Sequence, residues 1–254
     1  MHTETSDTHF TRRIKLVVEY DGTPYHGFQR QANLKTVQQC LENAAQVITK
    51  HPITIHAAGR TDVGVHAIGQ VVHFDTSAHF CTYKLVACMN AHLREEKISV
   101  LSAEDVDFSF HARFSAQKRC YRYHILNRRS KPALNQNVWW IKESLDIDAM
   151  HNAAQYLLGT HDLSTFRGHG CQASSPIRTI HSMSFMRDSE HIVFEIAAKS
   201  FLYHQVRNII GTLYKVGIGQ WSLDDFLHAK QACDRKRGGI TAPAAGLVFV
   251  SVTY

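Results

Sequence analysis

The sequence predicts an α+β protein made of two halves, each with mainly antiparallel strands. Three observations carry that expectation. Short segments with period-two apolar alternation occur in both halves of the chain. Longer segments with an apolar stripe at helical spacing separate them. The clearest pair of strands is joined by a turn signal, Asp188-Ser189, rather than by a helical crossover.

In chain order, Ile14, Leu16, Val18 and Tyr20 alternate with Lys15, Val17 and Glu19, and Asp21-Gly22 supplies a turn. A helix is expected from Thr36 to Lys50, with Val37, Leu41, Ala44, Ala45 and Ile48 forming its stripe and Pro52 following its end. Strands are expected over Ile53–Ala57 and Gln70–Phe74, with a loop between them, and a helix over Thr82–Leu93. The second half repeats this grammar loosely. Arg119–Leu126 alternates, with Tyr121, Tyr123 and Ile125 on one face. Asp146–Leu158 reads as a helix capped by Asp146 or Ser144. Arg178–Met186 and His191–Ala198 form the antiparallel pair. Helices over Leu202–Val216 and Trp221–Ala232 and a closing strand over Gly246–Tyr254 complete the chain. The expected organisation is a flexible N-terminal tail over 1–11, a first half over 12–110 and a second half over 111–254. The break falls near Phe108–Phe114, and a polar connection spans Asn127–Asn137.

A chain of 254 residues with 44% hydrophobic and 20% charged residues has the composition of a globular protein with a sizeable core. No apolar run approaches the roughly 20 residues that span a bilayer, and the polar N-terminus lacks the apolar region of a secretory signal. The six cysteines include no C-x-x-C pair, so reduced thiols and a cytoplasmic location are expected. The 18 histidines are scattered, with no H-E-x-x-H, and no metal site is expected. A net charge of +6 permits a polyanionic partner. Basic residues cluster at Arg12-Arg13-x-Lys15, Lys118-Arg119-x-x-Arg122, Arg128-Arg129-x-Lys131 and Arg235-Lys236-Arg237, which can be RNA contacts or solvated surface patches. Walker loops, dinucleotide fingerprints, nucleophile elbows and kinase signatures are all absent, so no cofactor is expected.

The run Ala58-Gly59-Arg60-Thr61-Asp62-Val63-Gly64-Val65-His66 is the first candidate for chemistry. Two glycines flank an acidic residue on a loop between strands, where backbone and substrate can approach closely. A carboxylate ionised at neutral pH can act as nucleophile or base. An Asp turn is the other reading of the same residues, and local physics leaves both open. Tyr121, within Lys118-Arg119-Cys120-Tyr121-Arg122-Tyr123, either stacks on a base or faces the core of a half-buried strand. Arg207 is a cation on an otherwise apolar helix, so it either meets an acidic partner or snorkels to solvent.

Taken in order along the chain, the motifs resemble those of the tRNA pseudouridine synthase A family from Tyr20 to Leu247. They are Tyr20-Asp21-Gly22-x-x-Tyr25-x-Gly27-x-Gln29-x-Gln31, Thr36-Val37-Gln38, and Ala58-Gly59-Arg60-Thr61-Asp62-x-Gly64-Val65-His66-Ala67-x-Gly69-Gln70. Phe110-His111-Ala112-Arg113-Phe114, Tyr121-Arg122-Tyr123, His204-x-Val206-Arg207-Asn208-x-x-Gly211 and Gly246-Leu247 follow. The resemblance implies an isomerase converting uridine to pseudouridine at positions 38 to 40 of the tRNA anticodon stem-loop. It implies no cofactor, and a homodimer that shares one tRNA. The implied fold is two pseudo-symmetric α+β halves meeting at a central catalytic cleft. By the same resemblance Asp62 is the catalytic nucleophile and Tyr121 stacks on the target base. Arg207 pairs with the aspartate, Leu247 lines the pocket, and Arg60 fills the space left by the flipped base. Phe110, His111, Ala112, Arg113 and Phe114, and Gly168, His169, Gly170, Cys171 and Gln172, match segments that touch tRNA. Phe28 stands where the family has Trp, and Asn90-Ala91-His92-Leu93-Arg94 lacks the family's proline, which puts the geometry of that loop in question.

Overall fold

A computed structural model describes residues 10–134 and 137–254. Most of the expected N-terminal tail therefore lies outside the described residues. Within them, the Thr11 N–H already donates to the Thr76 carbonyl and the Phe10 ring packs near His51. The chain separates into two compact units, one ending at Ala116 and the other beginning at Gln117.

The first unit contains β1 (Arg12–Tyr20), α1 (Val37–Thr49), β2 (His56–Ala57), β3 (His66–Thr76), α2 (Thr82–His92) and β4 (Ile98–Val106). β1 lies between β3 and β4, antiparallel to both, and β2 pairs with β3. The alternation read in the sequence is the physical basis of this sheet: Ile14, Leu16, Val18 and Tyr20 are all buried. The basic residues of β1 meet carboxylates on the neighbouring strands. Arg13 sits opposite Asp75 and Lys15 opposite Glu104, and both are ion pairs, as is Arg12 with Asp105. The first basic cluster is thus matched charge for charge by the sheet that carries it.

α1 begins at Thr36, whose hydroxyl accepts the Gln39 N–H, and ends at Lys50 in the left-handed region. Ile53–Ile55 does not continue β2 as expected. The Ile55 N–H donates to the buried Glu42 carboxylate and its carbonyl accepts from Gln38, so side chains of α1 occupy both groups a strand would use. β4 escaped the sequence pattern because only Ile98 and Val100 are buried along its length. The unfamiliar turn after α2 is tied down by Asn90, whose amide exchanges two hydrogen bonds with the backbone of Val100. Phe28 is buried near the Tyr20 ring, so an aromatic core contact is kept there.

The second unit contains β5 (Lys118–Asn127), β6 (Trp139–Ile141), α3 (Ile147–Gln155), β7 (Gly159–Asp162), β8 (Ile177–Asp188), β9 (His191–Ala198), α4 (Gln205–Gly217), α5 (Leu223–Gln231) and β10 (Leu247–Thr253). β5 pairs with β9 on one side and, along the other, first with β10 and then with β6. β8 joins β9 and β7 joins β8, all antiparallel, while β5–β6 is parallel. The sheet is mixed and mainly antiparallel, as the sequence predicts. Both units also share one connectivity: the first strand lies between the last strand and the strand directly before the unit's second helix.

α3 is capped by Asp146, which accepts the Ala149 N–H, and α5 by a reciprocal box between Ser222 and Asp225. α4 starts three residues later than its apolar pattern suggests. His204 is left-handed, with φ 58°, and Gln205 folds back to accept the Leu202 N–H at 2.6 Å, so Leu202–His204 form a turn instead. On β5, Arg122 pairs with Glu195, its direct neighbour on β9, and Arg119 is buried with a guanidinium N–H on the Lys199 carbonyl. Two more of the basic residues are therefore committed within the fold.

Candidate active site

The Asp62 loop spans the gap between β2 and β3, and its backbone is fixed at three successive places. The Gln70 amide donates to the Gly59 carbonyl at 2.8 Å. The Thr61 carbonyl accepts the Phe28 N–H at 3.0 Å. The Asp62 carbonyl accepts the Val65 N–H at 3.2 Å, closing a turn directly beneath the carboxylate-bearing residue. Thr61 is held a second time through its side chain, because its Oγ1 lies 2.8 Å from the Tyr20 hydroxyl in a buried position.

The glycines of the Tyr20-Asp21-Gly22 … Gly27 motif have their reason here. A Cβ at Gly22 would overlap the Val65 carbonyl. Gly27, with φ +84°, passes so close that a Cβ would lie 3.0 Å from the Thr61 carbonyl oxygen and 3.4 Å from the Asp62 carbonyl carbon. The two motifs, some forty residues apart in sequence, are the two sides of one close backbone contact. His66 is buried behind it: its Nδ1 accepts the Gly22 N–H at 3.1 Å and stands 3.0 Å from the Asp21 carboxylate.

Charges around the loop are ordered. Burial raises the Asp21 carboxyl, but hydrogen bonds from Thr23 and the nearby His66 and Lys97 outweigh it, so its pKa lies below the ordinary value. Burial pushes the Tyr20 hydroxyl up to about 12 despite Thr61 and Gln70, so it stays neutral under ordinary conditions. Arg60 is exposed and Asp62 half-buried, an arrangement open to a substrate.

The second unit brings Tyr121, Arg207 and Leu247 around the middle of β5. Tyr121 is buried, with Phe201 and Phe249 both meeting its ring edge-on at 5.1 and 5.0 Å. Leu247 opens β10 directly opposite Tyr123, whose hydroxyl donates to the Pro243 carbonyl at 2.7 Å. Burial raises the Tyr123 hydroxyl, and the positive charge of Arg207 opposes it. Arg207 lies in the first turn of α4, with its Nε on the Ala242 carbonyl at 2.8 Å. At the next residue of the helix, buried Asn208 donates to the Phe166 carbonyl and accepts from Arg235 and Thr241. Arg235, one of the clustered basic residues, is thereby another structural cation.

The two segments expected to touch tRNA are surface features with anchored backbones. In the first, Ala112 is buried and donates to His73 Nδ1, while His111 Nδ1 accepts from Arg113 and Phe114. Phe114 is 75% exposed and Arg113 is also exposed. In the second, Gly168 is buried against Tyr203 and donates to its carbonyl, whereas His169, Gly170 and Gln172 are exposed. Arg167 braces this loop by donating to the carbonyls of Cys171 and Ala173. Burial raises the Cys171 thiol, but N–H groups of Ala173 and Tyr203 and the Arg167 guanidinium bring it below the ordinary thiol value. Among the described residues no cluster of three His, Cys, Asp or Glu side chains could hold a metal, and no helix is long and apolar enough to cross a membrane.

Tyr20, Gln70, His66 and Ala242 carry the loop and the arginine, yet none was assigned a role from sequence. Gln70 acts across 11 residues of chain and the other three across 35 to 44, distances at which no local pattern operates.

The sequence matches the family described as tRNA pseudouridine synthase over residues 16–115 and 153–254. The tRNA pseudouridine synthase A of Paramagnetospirillum magneticum is 49% identical over 95% of this chain and 95% of its own. Those of Bartonella quintana and Xanthobacter autotrophicus are 49% and 50% identical, each over 95% of this chain and 99% of theirs. With an aspartate loop seated on its glycine motif and an aromatic and arginine-bearing second unit, the chain belongs to the tRNA pseudouridine synthase family and is an isomerase of uridine in tRNA.

Proposed function

We propose that the chain isomerises uridine at positions 38 to 40 of the tRNA anticodon stem-loop, with Asp62 as the nucleophile. The observation that carries this reading is the Asp62 loop, whose backbone is held at Gly59, Thr61 and Asp62 in turn. A turn residue alone would not require a second motif packed against it through Gly22 and Gly27.

In this mechanism the Asp62 carboxylate attacks the target nucleotide and the bond between N1 of the base and C1′ of the ribose breaks. The base turns and rejoins C1′ through its C5, the bond to Asp62 breaks to give back the free carboxylate, and the proton on C5 is lost as N1 takes one up, so the product is an isomer of the substrate. No redox partner or group donor is consumed. Arg207 pairs with Asp62 and favours its charged form. Tyr121 provides the aromatic surface for a base removed from its stack, Leu247 the apolar wall, and Arg60 fills the vacated space. The segments 110–114 and 168–172 contact the tRNA, two copies of the chain share one tRNA, and the reaction takes place in the cytoplasm.

The test is incubation of unmodified tRNA transcripts, bearing uridine at only one of positions 38, 39 or 40, with the protein alone, followed by nucleoside analysis. Pseudouridine at each position is expected. Asp62→Asn should abolish it while leaving tRNA affinity nearly intact, because phosphate contacts dominate affinity. Full activity in the Asp62→Asn protein would sink the mechanism, and free uracil in the products would indicate an N-glycosidase instead. A sedimentation measurement with and without tRNA checks the dimer.

A further inference from the structure

We propose that the buried hydroxyl pair Tyr20–Thr61 is a positioning device for the nucleophile, a role that rests on the reading of Asp62 given above. Tyr20 is the last residue of β1 and Thr61 immediately precedes Asp62. Their hydroxyl oxygens lie 2.8 Å apart with Tyr20 4% and Thr61 7% exposed. Phenylalanine and valine would fill the same volume, and burying two hydroxyls gains nothing over them unless the bond between them does work that packing cannot. What the bond adds is direction. It selects one rotamer of Thr61 and fixes that residue's backbone from the side chain, while the Phe28 N–H fixes it from the carbonyl.

The arrangement is selective along the loop. Gly59 is held by Gln70 and Thr61 by Tyr20 and Phe28, while Arg60 between them is exposed. Tyr20 and Gln70 are both rooted in β strands that pair with each other, Gln70 being the register partner of Val18. The paired strands β1 and β3 are thereby connected through two side chains to the residues on either side of Arg60 and up to Asp62. A nucleophile held in this way has its reacting geometry set through the backbone of the residue before it.

Steady-state kinetics on an unmodified tRNA transcript test this with Thr61→Val, Thr61→Ser, Tyr20→Phe, the Tyr20→Phe/Thr61→Val double variant and Asp62→Ala. Thr61→Val should lower kcat about tenfold to thirtyfold with KM for tRNA changed less than about twofold, the signature of lost transition-state geometry. Thr61→Ser, which keeps the hydroxyl, should recover to within about threefold of the parent, and the double variant should be no more than about twofold worse than Thr61→Val, because the pair acts as one unit. Parental kcat in Thr61→Val, a rise in KM with kcat unchanged, or a Thr61→Ser protein as slow as Thr61→Val would each overturn the inference. If Thr61→Val does not fold, Tyr20→Phe against Thr61→Ser decides by the same split. Asp62→Ala separates the two levels: an active Asp62→Ala protein refutes the nucleophile and the positioning role together, whereas an inactive one beside a fully active Thr61→Val refutes the positioning role alone.

Discussion

Arg207 and Ala242 hold each other twice: the Arg207 side chain donates to the Ala242 carbonyl at 2.8 Å, and the Ala242 N–H returns to the Arg207 carbonyl at 3.1 Å. The guanidinium is therefore oriented in part by the segment that crosses α4, and anything that lifts that segment removes this hold. The crossing is close because Gly211 leaves no side chain in its way.

Gly211→Ala should consequently act on both stability and catalysis. Its Cβ would overlap the Ile240 carbonyl, which cannot move without disturbing Thr241 and Ala242. Overpacking of this kind costs about 1–3 kcal/mol, and a lowered melting temperature with a fall in kcat beyond the loss of folded protein is expected. Thermal melts paired with single-turnover rates on tRNA check it.

Gly22→Ala strikes the other unit in the same manner. The added methyl would meet the Val65 carbonyl at the far end of the Asp62 loop, in a contact made of backbone on both sides. The expected result is a loss of about 1–3 kcal/mol by urea denaturation, together with an activity defect like that of Thr61→Val.

Arg13→Met should separate structural charge from RNA-binding charge. Arg13 makes two contacts with the Asp75 carboxylate and donates to the carbonyls of Phe108 and Phe110. Its loss leaves a partly buried carboxylate without its cation, at a cost of about 1–2 kcal/mol. The slope of log tRNA affinity against log salt should stay unchanged, since no phosphate contact is removed. A shallower slope would count against the structural assignment.

Acid sensitivity should arise from His73. Burial, and then the neighbouring His111, Arg13 and His56, lower its pKa from the ordinary value to about 4, and its Nδ1 must stay unprotonated to accept the Ala112 N–H. The unfolded chain takes up this proton at higher pH than the folded one, so the contribution is fully present above about pH 6.5 and is lost as pH falls towards 4. His73→Asn, which keeps an acceptor near Nδ1 without a titrating ring, should show a flatter stability profile from pH 7 to 5 in urea titrations. A profile as steep as that of the parent would contradict the assignment.

Much of the fold was legible because its signals are local. The alternation of Ile14 to Tyr20 became β1, the stripe from Val37 to Ala45 became α1, and the turn signal at Asp188-Ser189 became a hairpin whose turn, one residue later, is Ser189-Glu190, with Ser189 at φ 55°. The failures came where a side chain competed for backbone hydrogen-bonding groups. Glu42 and Gln38 took the hydrogen-bonding groups of Ile55 away from a strand, and Gln205 with left-handed His204 delayed the start of α4. The short strands β6 and β7 and the exposed β4 carry too few buried residues for any period to register.

The sequence by itself determined the fold class, the helical and strand periods, and the loop on which Asp62 stands, because each depends on residues within about one turn or one strand of each other. Its ordered motifs also pointed to the family. Only the tertiary structure decided why Gly22 and Gly27 must be glycine, that most of the cations in the Arg12, Arg119 and Arg235 clusters serve the fold, and that Tyr20 reaches Thr61. Those facts depend on which surfaces the sheet brings together. A carboxylate opposite an arginine, or a carbonyl opposite a glycine, has no signature until the strands are in register.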